Sequence, residues 1–267
     1  MLERERHLLI RKLVDERSIV SVGELVELLG ASEATVRRAI TAMAERGELR
    51  KVRGGAEAMR QRYRSHLVGV PFALSHDVRI QQKRAIAHAA AGLIGPSDSI
   101  IVSAGTTTLR LAEFLRETDL DILTNSFPLA AALCATTQNR VTMPGGTVYG
   151  ELGAVLSPFA EATIAHFRAD VMFCGCYGIS RFGVMENDPL YAQATVRLLE
   201  RTTRLVVLAD SSKLRQRSSM VIAGIDRVDT LVTDSDASEE LLAPLRGAIA
   251  NIVVVDASES DRLAHVA

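Results

Sequence analysis

The sequence contains no tryptophan, few other aromatic residues and only three cysteines, and these scarcities exclude several classes of protein. Cys134, Cys174 and Cys176 are odd in number and form no C-x-x-C pair, so neither a disulfide framework nor a zinc site is expected. Buried thiols are the simplest interpretation. No apolar run reaches the roughly 18 residues of a membrane span, and residues 1–6 are too charged for a signal peptide. We therefore expect a cytoplasmic protein with no membrane partner and no bound metal.

Charge is distributed unevenly along a chain that is otherwise typical of a globular protein. The 267 residues are 48% hydrophobic and 24% charged, which excludes wholesale disorder and allows one large domain or two ordinary ones. Residues 1–64 hold 14 Lys or Arg and 10 Asp or Glu, whereas the remainder holds 17 basic and 22 acidic residues. A basic segment beside an acidic body indicates an appended nucleic-acid-binding module, because Lys and Arg neutralise phosphates. The alternative is a solvated basic face.

Three helices and a hairpin are predicted in residues 1–58. Apolar residues recur at helical spacing up to Arg17 and again over residues 22–29, and a third helix begins after the N-cap Ser32. Two short helices across a glycine-containing turn are typical of a helix-turn-helix. Residues 48–56, with apolar alternation and a glycine pair, predict a hairpin wing. The alternative is a small helical bundle without a partner.

The second helix of such a unit lies in the major groove of DNA, with its N-terminal residues against the base edges. Arginine can bind guanine with two hydrogen bonds, hydroxyl groups can contact bases or phosphates, and a basic wing lies over the backbone. Double-stranded operator DNA is therefore the expected partner. The predicted DNA-binding residues are Ser32, Glu33, Thr35, Arg37 and Arg38 in the recognition helix and Arg50, Lys51 and Arg53 in the wing.

A polar, basic linker over residues 59–71 precedes an α/β domain over residues 72–257, and residues 258–267 form a tail. Short β-branched runs alternate with helical patterns in this domain, which indicates a mainly parallel sheet. The predicted strands are 100–103, 122–124, 141–143, 171–174, 205–209, 231–233 and 252–255. The predicted helices are 82–94, 107–116, 128–135, 158–167, 190–201 and 238–250.

The residues that follow these strands are expected to form a ligand site, because open α/β sheets bind ligands beyond the carboxyl ends of their strands. Small residues, hydroxyls, an amide and a lysine suit a phosphorylated, polyhydroxylated ligand, although each loop taken singly is more simply a turn or a helix cap. No G-x-G-x-x-G or Walker pattern occurs, so no nucleotide cofactor is expected. The predicted effector-binding residues are Arg79, Lys83, Ser103, Gly105, Thr106, Thr107, Thr124, Asn125, Ser126, Gly145, Gly146, Asp188 and Lys213.

Taken together, the motifs resemble the DeoR family of bacterial transcriptional regulators over nearly the whole chain. The resemblance implies a winged helix-turn-helix followed by an effector domain similar to ribose-5-phosphate isomerase and CoA-transferase folds. It also implies repression of carbohydrate-utilisation genes, a phosphorylated sugar effector, and a homodimer or homotetramer. The motifs are Ser32 to Arg38, Arg53-Gly54-Gly55-Ala56, Lys83-x-x-Ile86-Ala87, Gly105-Thr106-Thr107, Thr124-Asn125-Ser126, Gly145-Gly146 and Asp210-Ser211-Ser212-Lys213.

The sequence also departs from the family pattern. Ala39 stands where the family usually has an aspartate in the recognition helix, and Ser103 stands where an aspartate often precedes the Gly-Thr-Thr motif. Other segments look most like the branch that includes the ascorbate-utilisation repressor, which implies L-ascorbate 6-phosphate or a similar acidic sugar phosphate. The alternative is an enzyme, a sugar-phosphate isomerase or a CoA-transferase with an appended DNA-binding domain. Its general base would have to come from a loop acid such as Glu186 or Asp188.

Overall fold

The computed structural model divides the chain into two compact units, Met1–His66 and Leu67–Ala267. None of the helices in the ranges described is both long and apolar enough to cross a lipid bilayer. The predicted linker, 59–71, and the predicted tail, 258–267, lie outside those ranges. The structure describes residues 3–17, 19–58, 72–96, 98–116, 118–157 and 162–257.

The N-terminal unit consists of three helices and a three-stranded antiparallel sheet, in agreement with the predicted winged helix-turn-helix. Ser21 and Glu24 form a capping box at the start of the second helix, because each side chain accepts the other residue's backbone N–H. Gly30 ends that helix in the left-handed conformation, at a φ of 56°. The elements are α1 (Glu3–Arg17), β1 (Ile19–Ser21), α2 (Val22–Leu29), α3 (Glu33–Glu45), β2 (Leu49–Val52) and β3 (Gly55–Ala58).

Strand β1, which the sequence did not predict, extends the wing hairpin into a sheet of order β1-β3-β2. Only Val20 of its three residues is buried, and it packs in the core that the three helices share. A three-residue strand is too short to show a period in the sequence. The largest fully buried side chains of this core are Ile10, Leu25, Ile40, Met43 and Leu49.

The C-terminal unit is built on a seven-stranded sheet in which all neighbouring strands are parallel. The sheet order is β15-β14-β12-β9-β4-β5-β6. All seven predicted strands belong to it. The elements are α4 (Phe72–Ser75), α5 (Ile80–Ala91), β4 (Ser99–Val102), β5 (Asp121–Thr124), α6 (Phe127–Thr136), β6 (Arg140–Thr142), β7 (Thr147–Tyr149), β8 (Ala154–Leu156), α7 (Ala162–His166), β9 (Ala169–Cys174), β10 (Gly178–Ser180), β11 (Gly183–Glu186), α8 (Pro189–Leu199), β12 (Thr202–Leu208), β13 (Met220–Ala223), β14 (Thr230–Asp234), α9 (Glu239–Arg246) and β15 (Asn251–Val255).

Helices cover both faces of the parallel sheet. Since successive side chains of a strand point to opposite faces, neighbouring residues of one strand pack in two different clusters. Ile100 and Val102 of β4 pack in one cluster with α5 and α6, whereas Ile101 packs in the other with α8 and α9. The predicted helix at 107–116 is instead a 3₁₀ helix, Thr108–Glu113, and of the predicted helix at 158–167 the described part is α7.

Two small antiparallel sheets in this unit were predicted as loops. One is the hairpin β7–β8, and the other has the order β10-β11-β13. Their strands are only three or four residues long, and Gly183, at a φ of 133°, opens β11 where a Cβ would lie 2.1 Å from the Ala223 carbonyl oxygen. A glycine in such a run is usually a turn signal, which explains the wrong prediction.

Candidate effector cavity and DNA-binding surface

A cavity of about 380 Å³ lies at the carboxyl edge of the parallel sheet in the C-terminal unit. Its walls come from the residues that follow β4, β9, β11 and β12, together with α4 and the start of α5. The structure thus brings part of the predicted effector site together in one place. Seven predicted residues line the cavity, namely Arg79, Lys83, Gly105, Thr106, Thr107, Asp188 and Lys213.

The loop after β4 lines this cavity and contains backbone donors without partners among the described residues. Within the described residues, the N–H groups of Gly105, Thr106 and Thr107 donate no hydrogen bond. The loop is held instead through Ala104, whose N–H donates to Asn125 Oδ1 at 2.8 Å and whose carbonyl oxygen accepts the Tyr191 hydroxyl. Several N–H groups that converge without partners form a concavity that suits an anion.

Two lysines add positive charge to the same cavity. Lys83 is only 4% exposed, and its ammonium group donates to the Ser75 carbonyl oxygen at 2.5 Å. Burial lowers the pKa of Lys83 to about 8, although the nearby Asp210 carboxylate opposes the shift. Lys213 lies in a short 3₁₀ turn that Asp210 caps, and its ammonium group has no hydrogen bond or ion pair in the part of the chain described. Lys213 is therefore the cation most available to a ligand.

Arg79 also lines the cavity, but its charge is already engaged. Its guanidinium group lies 2.7 Å from the Asp236 carboxylate, 3.1 Å from that of Asp234 and 3.4 Å from that of Asp210, and it donates to Ser211 Oγ at 2.7 Å. The residue has a φ of 55°, a left-handed conformation that non-glycine residues rarely adopt. The arrangement favours a structural clamp between α5 and the ends of β12 and β14 over the predicted direct contact with the effector.

We expect Arg79→Ala to destabilise the C-terminal unit by about 3 kcal/mol, because the buried carboxylates of Asp210 and Asp234 lose their cation. Urea unfolding followed by circular dichroism measures the change. Arg84→Ala is the matched control: Arg84, in α5, which Arg79 precedes, pairs at 2.8 Å with a partly exposed Glu113, and such a pair contributes less than about 1 kcal/mol. Equal losses for the two variants would contradict the clamp.

Three predicted hydroxyl residues lie behind the cavity rather than in its wall. Ser103, Thr124 and Ser126 are fully buried. Thr124 Oγ1 donates to the Val102 carbonyl oxygen at 2.6 Å, Ser126 Oγ caps α6, and Ser103 Oγ accepts the Gly175 N–H at 3.4 Å. The prediction of direct ligand contact is therefore corrected for these residues, because their hydroxyls satisfy the backbone of neighbouring strands and helices.

Asn125, Gly145 and Gly146 do not line the cavity either. Asn125 is buried and acts on the loop after β4 through Ala104, as described above. Gly145 and Gly146 are exposed and precede β7. Gly146 has a φ of 146°, and a Cβ there would lie 2.5 Å from the Leu156 carbonyl oxygen. Gly146 thus allows the close approach of β7 and β8, whereas nothing lies within 4 Å of a Cβ built at Gly145. Because neither glycine is part of the cavity lining, their predicted role in effector binding is corrected.

Several cavity residues were absent from the predicted site. Tyr191 of α8 is buried, which raises the pKa of its hydroxyl well above the usual range. Glu186, at the end of β11, is 7% exposed, and its burial raises its pKa to about 8. Cys176 also lines the cavity. The prediction of three buried thiols is correct for Cys174, whereas Cys176 is partly buried and Cys134 is exposed. Glu186 was considered only as a loop acid for the enzymatic alternative, because β11 was read as a loop, and Tyr191 was read as part of an ordinary amphipathic helix.

The start of α3 carries the predicted base-contacting residues on an exposed surface. Ser32 Oγ caps the helix by accepting the Thr35 N–H at 3.3 Å, and the two hydroxyls bond each other at 2.8 Å. Arg37 pairs with Glu33 at 2.6 Å, one helical turn away. Arg38 is exposed, and its guanidinium contacts only the carbonyl of its own helix within the described residues. Arg38 is therefore the side chain of α3 most available to a base edge.

The basic residues of the wing also differ in whether their charged groups already contact other side chains. Arg50 pairs across the hairpin with the buried Glu57 carboxylate at 2.5 Å, and Lys51 Nζ lies 3.0 Å from Thr41 Oγ1 of α3. Arg53 is exposed at the tip, and within the described ranges it forms no hydrogen bond or ion pair. The first two residues thus also stabilise the wing, whereas Arg53 is available to a phosphate.

Comparison with solved structures gives distant similarities. Ribose 5-phosphate isomerase A from Methanocaldococcus jannaschii is 15% identical, with a TM-score of 0.37, over 49% of this chain and 52% of that chain. The translation initiation factor eIF-2B from Pyrococcus horikoshii OT3 is 18% identical, also with a TM-score of 0.37, over 79% of this chain and 72% of that chain.

Sequence comparison gives much closer relatives and two family matches. The HTH-type transcriptional regulator UlaR of Shigella sonnei (strain Ss046) is 34% identical over 92% of this chain and 96% of its own length. UlaR of Escherichia coli O9:H4 (strain HS) is 33% identical with the same coverage. The DeoR-like helix-turn-helix domain matches residues 6–62, and the DeoR C-terminal sensor domain matches residues 78–235. The chain therefore belongs to the DeoR family of transcriptional regulators.

Proposed function

We propose that this regulator is a cytoplasmic repressor of carbohydrate-utilisation genes whose binding to a double-stranded operator is controlled by a phosphorylated sugar or sugar acid. The single observation that carries the proposal is the cavity, whose lining combines Lys83 and Lys213 with three residues, Gly105, Thr106 and Thr107, whose backbone N–H groups have no partner among the described residues. Preorganised backbone donors and cations together suit a phosphate group. A volume of about 380 Å³ lies within the range of small-molecule sites.

The remainder of the cavity suits a hydroxylated, acidic ligand. Glu186, Asp188 and Tyr177 line it beside the apolar Leu152 and Phe72, and carboxyl and hydroxyl groups bond sugar oxygens. One oxygen of Asp188 already caps α8 by accepting the Tyr191 N–H at 2.8 Å. The relatives named above are regulators, which favours binding over catalysis here. By analogy with the ascorbate-utilisation branch of the family, L-ascorbate 6-phosphate is the first ligand to test.

In this proposal the N-terminal unit binds the operator, the C-terminal unit binds the effector, and both events act on one conformational equilibrium. A homodimer or homotetramer places two recognition helices on two operator half-sites, with Arg38 toward the bases and Arg53 toward the backbone. The effector weakens DNA binding only if it binds the DNA-incompetent state more tightly, since equal affinity for both states shifts nothing. The relevant ligand is thus one that changes operator affinity, and binding alone does not identify it.

A thermal-shift screen of the full chain against phosphorylated sugars and sugar acids tests the ligand class. A ligand at 100 times its dissociation constant stabilises the folded state by about 2.7 kcal/mol, which raises the melting temperature of a unit this size by roughly 5–10 °C. The unphosphorylated form of each hit is the control and is expected to give no shift. Absence of a shift with every phosphorylated compound would count against the proposal.

A further inference from the structure

A short segment of the chain forms one wall of the cavity and also leads toward the DNA-binding unit. Residues 72–79, here called the strap, contain α4 and end where α5 begins. The strap is the first described part of the chain after the predicted linker, 59–71, which joins it to the wing. A ligand that fills the cavity contacts the strap, because four of its residues line the wall, namely Phe72, Ser75, Val78 and Arg79.

Charged side chains hold the C-terminal end of the strap. Arg79 is the clamp described above, and the Arg110 guanidinium group donates to the His76 carbonyl oxygen at 3.4 Å and lies 3.2 Å from His76 Nε2. A helix cannot continue through a left-handed residue such as Arg79, so the strap and α5 are separate segments joined at one position. This end of the strap is therefore fixed.

The other end of the strap rests on the turn between β7 and β8, residues 150–153. The Phe72 N–H donates to the Glu151 carbonyl oxygen at 2.7 Å. The Phe72 ring covers Gly153, where a Cβ would lie 2.8 Å from a ring carbon and where a φ of 62° favours glycine. One neutral hydrogen bond and one ring contact detach more readily than bonds to a charged guanidinium group. The strap is thus built to pivot near Arg79 while Phe72 moves.

Lys83 connects the position of the strap to the ligand. Its buried ammonium group donates to the Ser75 carbonyl oxygen, which is its only hydrogen-bond partner among the described residues. A phosphate oxygen is a stronger acceptor for an ammonium group than a neutral carbonyl is, because both partners are then charged. Phosphate in the cavity therefore draws Lys83 away from the strap.

We propose that the strap transmits effector binding to the operator-binding unit. The strap docked on the turn of residues 150–153 belongs to the DNA-competent state. The effector draws Lys83 toward its phosphate, occupies the space beside Phe72, and so favours a state in which the N-terminal end of the strap is released. Release alters the chain that leads to the wing and disfavours operator binding. This inference rests on the proposed function and adds the route by which its site is regulated.

A disulfide between residues 72 and 153 tests the proposal by fixing the strap on the turn. A Cβ at residue 153 would lie 3.0 Å from Phe72 Cγ, so the two Cβ atoms come within about 4.5 Å, as a disulfide requires. The full-length variant is Phe72→Cys/Gly153→Cys, with the exposed Cys134 replaced by serine. Anisotropy measures operator affinity with and without L-ascorbate 6-phosphate, and a thermal shift shows whether the ligand is bound.

The oxidised variant should bind the operator as wild type does, and bound ligand should change its operator affinity by less than about twofold. After reduction, the same protein should lose at least about fivefold in operator affinity when the ligand is added. Because coupling is reciprocal, the oxidised variant should also bind the ligand more weakly than the reduced one. The ligand is therefore added until the thermal shift no longer increases.

Phe72→Ala undocks the strap without a disulfide. It should weaken operator binding by about three- to tenfold even without ligand, because the docked state becomes less populated. A residue that only contacts the ligand would leave this quantity unchanged. Phe182→Ala is the matched control, since Phe182 is 66% exposed and does not line the cavity, and it should bind the operator as wild type does.

Two results would overturn the role of the strap alone. One is an oxidised variant that binds the ligand and releases the operator as its reduced form does. The other is a Phe72→Ala protein with the operator affinity of Phe182→Ala, and this comparison alone decides if the disulfide variant does not fold. Wild-type protein whose operator affinity responds to neither L-ascorbate 6-phosphate nor D-ribose 5-phosphate overturns the proposed function as well.

Discussion

Replacing Arg38 with alanine is expected to reduce operator specificity strongly while leaving the N-terminal unit folded. The side chain is exposed on α3, and among the described residues its only hydrogen bond is to the Ala34 carbonyl oxygen of the same helix, so its removal leaves no buried group without a partner there. A bidentate arginine–guanine contact contributes about 1–3 kcal/mol of discrimination, so each half-site should lose roughly 5- to 150-fold in affinity. Fluorescence anisotropy with an operator fragment and a scrambled fragment of equal length measures the loss.

Arg53→Ala is the matched control for this prediction. Arg53 lies at the tip of the wing, between β2 and β3, and is assigned to phosphate. Its removal should weaken operator and scrambled DNA alike and reduce the salt dependence of binding by about one counterion per half-site. If Arg38→Ala instead weakened both DNAs equally, the assignment of Arg38 to the bases would be wrong.

The second large effect is expected at Lys213. Lys213→Gln should reduce affinity for a phosphorylated effector by roughly 100-fold, because it removes a cavity cation that has no partner among the described residues and, with it, charge-assisted hydrogen bonds to phosphate. Operator affinity without effector should stay at the wild-type level. Thermal shift and anisotropy on the same preparation measure both quantities.

Arg215→Gln is the matched control, since Arg215 belongs to the same 3₁₀ turn, Ser211–Arg215, but is exposed and does not line the cavity. It should respond to the effector as wild type does. If the Lys213→Gln protein still released the operator at the effector concentrations that release it from wild type, Lys213 would not be part of the effector site.

The parallel sheet was predictable because its inner strands are largely buried on both faces and appear in the sequence as apolar, β-branched runs. The seven predicted strands, 100–103 among them, all belong to it. Strands β10, β11 and β13 were not predictable in the same way, because each is only three or four residues long and β11 pairs with β13, which is far away in the sequence, as Val184 and Ala223 show. Pairing at that distance leaves no local pattern.

The candidate site was predictable only in part, for a related reason. Ligand sites of open parallel sheets lie in the loops that follow the strands, and this rule correctly predicted that Gly105, Thr106 and Lys213 lie together. The rule cannot distinguish a hydroxyl that faces the ligand from one that bonds the backbone of a neighbouring strand. Thr124 illustrates the second case, since its hydroxyl bonds the Val102 carbonyl oxygen. Glu186 illustrates the converse, because its burial depends on the small sheet that the sequence does not reveal.

Operator binding by the full-length protein, measured by anisotropy with and without saturating L-ascorbate 6-phosphate at constant salt, tests the central claim most directly. We expect the phosphorylated compound to lower operator affinity at least tenfold, a coupling of about 1.4 kcal/mol, and ascorbate itself to leave it unchanged. Operator affinity that stays the same with this compound and with every other phosphorylated sugar tested would contradict the claim that the cavity controls DNA binding.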